Sequence, residues 1–455
     1  MKLPTAGKPH DELLAEMRAL QDGDADWHSG KIWSLVYFAG DDVAEVLKEA
    51  YTTFLYTNGL SVAAFRSLQK LESEVIAMTA ELLGGSEAVG NMTSGGTESI
   101  LMAIKTARDM ARARRPDLSE PEMVLPVTAH PAFEKGAHYF SVKPVHIPVD
   151  EEFRADVEAA RAAITDNTVL IVGSAPCYPY GTVDPIPELA ALARERGIGC
   201  HVDACVGGFL LPFLRRLGYE VPPWDFGVPG VTSISADLHK YGYAARGSST
   251  VMYRSKEVRR HQFFSYADWP GGLYGSPTMA GSRPGGAIAA AWAVMNYLGE
   301  EGYLRLARTV MDTAQKLKDG INAIPGLQVM SKPDASIFSF ASDSVDIYAV
   351  ADAMDSRGWH LDRQQMPPKL HLVVTPAHKE IAGQFLADLE DSTQSAATEG
   401  PTPGDRAAMY GMLGSLPDRG AVEKVIQDFL DRATEPKEDP MAGLPGGGGR
   451  GSEAS

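Results

Sequence analysis

The chain has 455 residues, of which 44% are hydrophobic, and this is enough for a large core divided between two lobes. Its formal net charge of −17 argues against nucleic acid as the main partner, because phosphate backbones require clustered Lys and Arg. The N-terminus has no signal-peptide pattern, no segment offers about 18 uninterrupted apolar residues, and the three cysteines are an odd number, which together favour a cytoplasmic protein without a transmembrane anchor.

The first 60 residues are predicted to form an N-terminal arm. Apolar residues recur at helical spacing over 11–20 and again over 41–55. An aromatic loop marked by glycines, from Trp27 to Gly40, separates these two helices.

Helices and short apolar runs alternate between residues 61 and 290. Helices are predicted over 68–83, 97–114 and 187–195. The apolar runs, each bounded by turn residues, cover 123–128, 169–175, 198–204, 232–236 and 248–253. This alternation indicates a large α/β domain of three α/β/α layers, with a mostly parallel sheet covered by helices.

The pattern changes after residue 290. Helices over 287–297 and 303–323 lead into the strand-like sequences IFSFAS and HLVVTP, which predicts a smaller α+β C-terminal domain over 291–433. Residues 434–455 are rich in Gly, Pro, Glu and Ser and are predicted to be a disordered tail.

The sequence Thr-Ser-Gly-Gly-Thr-Glu-Ser at 93–99 directly precedes a predicted helix. Free N–H groups and the positive end of a helix dipole make an anion site, and glycines let an anion approach the backbone. The site suits one phosphate group; no GK[ST] follows, as a Walker A loop requires, and no strand is predicted immediately before it, as a Rossmann turn requires. The alternative is a Ser/Thr-capped helix after a glycine turn.

Asp203 ends the predicted strand 198–204, within His-Val-Asp-Ala-Cys. The carboxyl ends of strands in open α/β sheets face the ligand crevice, and a buried charge there needs a partner. A protonated pyridine nitrogen would be such a partner, and Asp203 would keep it protonated. The alternative is an aspartate that caps the following turn.

Lys240 follows the next strand, in Ser-x-x-x-His-Lys. A lysine amine forms Schiff bases when burial or a cationic neighbour lowers its pKa, and His239 is such a neighbour. His130 follows the strand 123–128, where its imidazole could stack on a cofactor ring. When each residue is considered alone, the alternative for Lys240 is a solvated surface lysine, and the alternative for His130 is a loop histidine with its hydrogen bonds satisfied.

The order of these features is more specific than any one of them. A phosphate cup, an aspartate on a strand and then Ser-x-x-x-His-Lys, with Lys240 placed 37 residues after Asp203, is the chain order of fold-type I enzymes that use pyridoxal 5′-phosphate (PLP). The order therefore predicts that Lys240 carries PLP.

Longer stretches make the chain resemble the sphingosine-1-phosphate lyase family over roughly residues 25–430, among the group II decarboxylase-like PLP enzymes. The stretches are TSGGTESILMA at 93–103, HPAFEKGAHYF at 130–140, HVDACVGGF at 201–209, SISADLHKYGY at 233–243 and GGLYGSPTMAGSRPGG at 271–286. The resemblance implies an aspartate aminotransferase-like fold and a homodimer with shared active sites.

The resemblance also implies roles for individual residues. Lys240 would be the Schiff-base lysine, Asp203 the partner of the pyridinium and His130 the residue stacked on the ring. The cofactor phosphate would be held by Gly95, Gly96, Thr97 and His239, with Ser282 donated by the other subunit. Tyr37 and Tyr178 would be active-site tyrosines near the substrate.

The implied reaction is a retro-aldol cleavage of a small phosphorylated amine, a sphingoid base or related amino alcohol, to a fatty aldehyde and phosphoethanolamine. A PLP-dependent amino-acid decarboxylase is the alternative. Four residues depart from the family pattern, namely Trp33, Ser61, Tyr180 and Arg246. They predict an altered substrate half of the site, in which Tyr37, Ser61 and Arg246 bind the substrate.

Overall fold

A computed structural model of the chain describes residues 2–61, 63–399 and 416–434. The N-terminal arm carries α1 (His10–Leu20) and α2 (Asp41–Thr53), and α3 (Arg66–Leu82) follows it. The large sheet is built from β1 (Val89–Thr93), β2 (Glu122–Pro126), β3 (Lys143–Ile147), β4 (Thr168–Ser174), β5 (Gly199–Asp203), β6 (Ser233–Ala236) and β7 (Ser249–Tyr253). The helices between these strands are α4 (Gly96–Arg114), α5 (Ala132–Phe140), α6 (Val157–Ala163), α7 (Ile186–Arg196) and α8 (Leu211–Arg216).

The seven strands lie in the order β1-β7-β6-β5-β4-β2-β3. From β3 to β6 all neighbours pair in parallel, whereas β7 runs antiparallel to both β6 and β1. Every residue of β2, β4, β5 and β6 is buried, because helices cover both faces, and this explains why these strands appear in the sequence as continuous apolar runs. The prediction of a mostly parallel α/β sheet is confirmed.

The C-terminal lobe has a smaller sheet in the order β10-β11-β13-β12. The elements after β7 are α9 (Lys256–Arg259), β8 (Phe264–Tyr266), β9 (Tyr274–Ser276), α10 (Gly285–Ala323), β10 (Gln328–Val329), β11 (Ile337–Ala341), α11 (Ile347–Asp355), β12 (Asp362–Gln364), β13 (Lys369–Val373), α12 (Ala382–Glu399) and α13 (Arg419–Thr434). The two helices predicted over 287–297 and 303–323 are both present within α10, which is interrupted at Gly299, where φ of 54° and ψ of −176° are not helical.

The N-terminal arm is joined to the C-terminal lobe. Trp33 donates its N–H to the carbonyl of His360 at 3.1 Å, and its own carbonyl accepts from the N–H of Val373 at 2.8 Å. The indole is fully buried and stacks on His378, with ring centroids 4.0 Å apart. The arm therefore completes the core of the smaller lobe.

The domain boundaries at 60/61 and 290/291 remain predictions, and α10 begins at Gly285, before the second of them. Residues 435–455 of the predicted tail lie outside the described residues. Among the helices that are described, none is both long and apolar enough to cross a membrane.

Candidate functional site

Four strand ends converge on one cavity of about 430 Å³. Because β2, β4, β5 and β6 are parallel, their carboxyl ends lie at the same edge of the sheet, where open α/β folds bind ligands. The segments that follow these strands bring His130, Tyr178, Asp203 and Lys240 to the cavity wall. Residues from distant parts of the chain therefore meet as the strand pattern predicted.

Most of the predicted site residues line this cavity, namely Tyr37, Gly95, Gly96, Thr97, His130, Tyr178, Asp203, His239, Lys240 and Arg246. Ser61 and Ser282 do not line the cavity of their own chain, and both are exposed. The hydroxyl of Ser282 instead accepts a hydrogen bond from Nδ2 of Asn58 at 2.9 Å. The roles of Ser61 and Ser282 stay predictions.

Lys240 is paired with Asp237, a carboxylate that the sequence analysis did not single out. Nζ of Lys240 lies 3.0 Å from Oδ2 of Asp237, whose side chain is 2% exposed. Burial is the largest single influence and lowers the pKa of Lys240, but the negative charge of Asp237, together with smaller contributions from neighbours that include Asp203, raises that pKa above its usual value. Asp237 follows β6 directly, so the rule that strand ends face the crevice would have found it.

The expectation that burial and a cationic neighbour depress the pKa of Lys240 is wrong for the free lysine. His239 does not supply the positive charge, because burial lowers the pKa of its imidazole and favours the neutral form. In the free protein, Lys240 is therefore a protonated amine balanced by Asp237.

Asp203 presents an ionised carboxylate to the cavity. Its Oδ1 accepts the backbone N–H of Cys205 at 3.1 Å and the hydroxyl of Ser235 at 3.1 Å. Burial raises the pKa of Asp203, but nearby His130 and the hydrogen bonds from Cys205 hold it below its usual value. A fixed negative charge at this point suits a protonated ring nitrogen.

His130 lies in the turn between β2 and α5, at the cavity wall. Its Nδ1 accepts the backbone N–H of Ala132 at 3.1 Å, so a neutral ring carries its proton on Nε2. Desolvation by the surrounding protein lowers the pKa of His130, while the charge of Asp203 opposes this effect. The cavity therefore holds an imidazole that is neutral near pH 7, beside the carboxylate of Asp203.

The turn at 93–99 connects β1 to the N-terminus of α4. The predicted absence of a strand before this turn is therefore wrong, and the argument against a Rossmann turn that relied on it fails. A Cβ at Gly96 would lie 2.8 Å from both Oδ2 of Asp237 and Sγ of Cys205, so only glycine fits. Glu98 holds the turn by accepting the backbone N–H of Ser94 at 2.7 Å and its hydroxyl at 2.6 Å.

The buried polar groups of the cavity fit PLP. Nδ1 of His239 is buried next to the α4 N-terminus without a hydrogen-bond partner among the described residues, as a donor for a phosphate would be. Asp203 is ionised where a ring nitrogen would need it, and Lys240 supplies an amine. Oδ1 of Asp237 is a second buried polar atom of this cavity without a hydrogen-bond partner in the described part of the chain.

Tyr37, Tyr178 and Arg246 form a second side of the cavity. Burial raises the pKa of Tyr37 to about 12, and burial together with the carboxylate of Asp362 raises the pKa of Tyr178 above its usual value. The guanidinium of Arg246 lies 5.7 Å from the centre of the Tyr37 ring. Two protonated phenols and one cation therefore line the cavity that the glycine turn also lines.

The prediction of an altered substrate half is wrong for two residues. Trp33 is buried in the C-terminal lobe, and Tyr180 is buried between Phe153, at a centroid distance of 3.7 Å, and Nζ of Lys369, at 4.7 Å from its ring. Both side chains are packing residues away from the cavity wall. Among the four departures, Arg246 lines the cavity of its own chain.

Comparisons with known proteins identify the family and the fold of the chain. The model of the pyridoxal-dependent decarboxylase conserved domain matches residues 1–342. A sphingosine-1-phosphate lyase from Oryza sativa subsp. japonica is 48% identical over 440 residues, which are 94% of this chain and 81% of the relative.

Solved structures show the same fold. The structure of a sphingosine-1-phosphate lyase from Burkholderia pseudomallei K96243 superposes with a TM-score of 0.88 at 39% identity, covering 96% of this chain and 98% of the other. A glutamate decarboxylase from Lactobacillus brevis has a TM-score of 0.77 at 19% identity, covering 88% of this chain and 96% of the other, and shows the fold alone.

Proposed function

The chain belongs to the sphingosine-1-phosphate lyase family, and from that premise we propose that it is a PLP-dependent carbon–carbon lyase. Its substrate is a phosphorylated sphingoid base or related amino alcohol, and its products are a fatty aldehyde and phosphoethanolamine. The observation that carries the proposal is the single cavity in which Lys240, Asp203 and the glycine turn face Arg246 and two tyrosines.

Bound PLP supplies an electron sink for the electrons released when the carbon–carbon bond breaks. Lys240 would hold the cofactor, and the ionised carboxylate of Asp203 would keep its ring nitrogen protonated. The α4 N-terminus and His239 would bind its phosphate through N–H groups. His130, neutral near pH 7, would contact its ring.

The substrate is oriented by Arg246 and the two tyrosines of the cavity wall. The guanidinium of Arg246 binds the substrate phosphate through paired N–H donors. Tyr178 and Lys240 are the candidates for moving protons at the substrate hydroxyl and the neighbouring carbon, because both line the cavity and both carry exchangeable protons. Tyr37 also lines the cavity, where the charges of Lys240 and Arg246 both act on its phenol.

The protein is further proposed to act as a cytoplasmic homodimer in which Ser282 of each subunit completes the site of the other. Exposed apolar side chains around the β8–β9 hairpin support this proposal, with Phe264 58%, Trp269 53% and Leu273 88% exposed in the single chain. Asn58 connects the segment of Ser61 to Ser282. It accepts the N–H of Leu60, the residue before Ser61, and donates a hydrogen bond to Ser282.

The test is a product assay with sphinganine 1-phosphate and the PLP-loaded protein. We expect aldehyde and phosphoethanolamine in equal amounts, and borohydride reduction followed by peptide mass spectrometry should locate the cofactor on Lys240. Release of carbon dioxide from an amino acid, without aldehyde from sphinganine 1-phosphate, would instead support the decarboxylase alternative.

Lys240→Ala should abolish both the product and the reducible linkage to the cofactor. Lys256→Ala is the matched control, because Lys256 is an exposed lysine on α9 away from the cavity. Activity that survives in Lys240→Ala would defeat the proposed function.

A further inference from the structure

Tyr178 contacts two residues of the C-terminal lobe, Asp362 and His371. Its hydroxyl donates to Oδ2 of Asp362 at 2.9 Å, and its ring packs on His371 with centroids 4.4 Å apart. Asp362 and His371 are directly paired across β12 and β13. Tyr178 itself lies in the segment after β4, so the smaller sheet sets the position of a phenol that belongs to the larger domain.

Asp362 connects the cavity wall to a more open region. Its Oδ1 accepts the hydroxyl of Ser34 at 2.8 Å, and its side chain is 36% exposed. Because the hydroxyl of Tyr178 donates its hydrogen bond to Asp362, the lone pairs of the phenol oxygen stay free to accept a proton from a ligand in the cavity. Tyr178 therefore has a donor contact on one side and an acceptor face on the other.

His371 does not compete for this carboxylate. It is fully buried, and neither ring nitrogen makes a hydrogen bond of good geometry within the described residues, although the backbone of Tyr178 acts on the ring. Burial lowers the pKa of His371 to about 4, although Asp362, with Oδ2 at 3.9 Å from Nδ1, opposes the effect. Lys369 is the cation that acts on the same ring. A neutral His371 serves as the surface on which the Tyr178 ring packs.

We propose that Asp362 is a positioning residue and the outer end of a proton relay through Tyr178. The relay rests on the proposed function for the identity of the substrate hydroxyl. As the O–H bond of that hydroxyl breaks, its proton forms a new O–H bond on Tyr178, and the proton of Tyr178 passes to the carboxylate of Asp362. The partly exposed carboxylate then returns the proton to water, so no other reactant is needed.

The contact is tested in the full-length protein by the ionisation of Tyr178. Ultraviolet titration of each protein and of its Tyr178→Phe counterpart isolates this phenol by difference. Asp362→Asn should lower the pKa of Tyr178, because the variant removes the negative charge beside the phenol; the other titratable groups next to Tyr178, namely Tyr37, Lys240 and the neutral His371, are unchanged. Asp388→Asn, which alters a carboxylate bonded to Trp359 in the same lobe, should leave the titration unchanged.

The relay is tested by kinetics on the PLP-loaded protein. Asp362→Asn should lower kcat roughly 10- to 100-fold with little change in KM, and Asp362→Glu should restore part of kcat. Rates in mixtures of light and heavy water should show more than one transferring proton in the wild type and one in Asp362→Asn. A merely structural role would not alter this isotope response.

Two results would overturn the proposal. An unchanged Tyr178 titration in Asp362→Asn would disprove the contact, and an altered titration with unchanged kcat and isotope response would disprove the relay. If wild-type protein yields no aldehyde, the proposed function fails, and the Tyr178 titration then decides the contact alone.

Discussion

The carboxylate of Asp237 lies 3.0 Å from Nζ of Lys240, in the turn that follows β6. Burial without a partner would cost the ammonium several kcal/mol and would drive it to the neutral amine. The ion pair instead keeps the free lysine charged inside the cavity. Reaction with a carbonyl requires the neutral amine, so Asp237 regulates how readily Lys240 reacts.

Asp237→Asn should make Lys240 of the cofactor-free protein more reactive towards an amine reagent at pH 8. Removing the carboxylate lowers the pKa of Lys240. Each unit by which this pKa falls increases the fraction of neutral amine about tenfold. The measurement is the rate of modification of the Lys240 peptide by mass spectrometry.

The control for this experiment is Asp225→Asn, which breaks an ion pair away from the cavity. In that pair Oδ2 of Asp225 lies 2.8 Å from Nη1 of Arg215. An equal modification rate in Asp237→Asn and wild type would show that Asp237 does not set the pKa of Lys240.

Trp33→Ala should destabilise the protein without changing substrate affinity. The indole is fully buried against His378 and Phe385, so its removal leaves a cavity that costs about 3–5 kcal/mol. Urea unfolding measures the loss, and Trp33→Phe, which keeps a ring in place, should lose less. A changed KM with little loss of stability would place Trp33 at the substrate instead.

Arg246→Ala should raise KM for the phosphorylated substrate roughly 10- to 100-fold, because a charged hydrogen bond to phosphate is lost. Arg246→Lys should recover part of the affinity, since it restores the charge without the paired donors. Arg260→Ala, at an exposed arginine on the same domain, is the control. An equal rise in KM for an amino alcohol without phosphate would contradict the assignment.

Stability should fall as pH drops from about 6.5 towards 4, since three buried histidines are neutral in the folded protein. Burial lowers the pKa of His201, His371 and His378 to about 4 in each case, below the unfolded value. Between these values the unfolded chain binds protons that the folded chain does not, so each histidine costs up to about 1.4 kcal/mol per pH unit.

Urea unfolding at pH 7, 5.5 and 4.5 measures this dependence. His378→Gln should be less sensitive to acid than wild type, because one of the three histidines is gone. Equal unfolding free energies at pH 7 and pH 4.5 would contradict the prediction.

The parallel sheet, and the meeting of Asp203 and Lys240 at one edge of it, could be predicted from local sequence patterns. Strands covered on both faces must be continuously apolar, and parallel strands place their carboxyl ends at one edge, so local patterns were enough to bring Asp203 and Lys240 together. The glycine turn at 93–99 was recognisable for the same reason, because an anion at a helix N-terminus imposes a local composition.

The side chains that surround these residues come from distant parts of the chain, and they are known from the three-dimensional structure. Tyr178 and Asp362 meet although they are 184 residues apart, and Trp33 belongs to the core of a lobe whose other residues follow Gly285. Asp237, three residues from Lys240, acts with other neighbours that include Asp203 to reverse the expected direction of the pKa of Lys240. Burial and charge act over a few ångströms between side chains. A local sequence pattern does not show which distant side chains come this close.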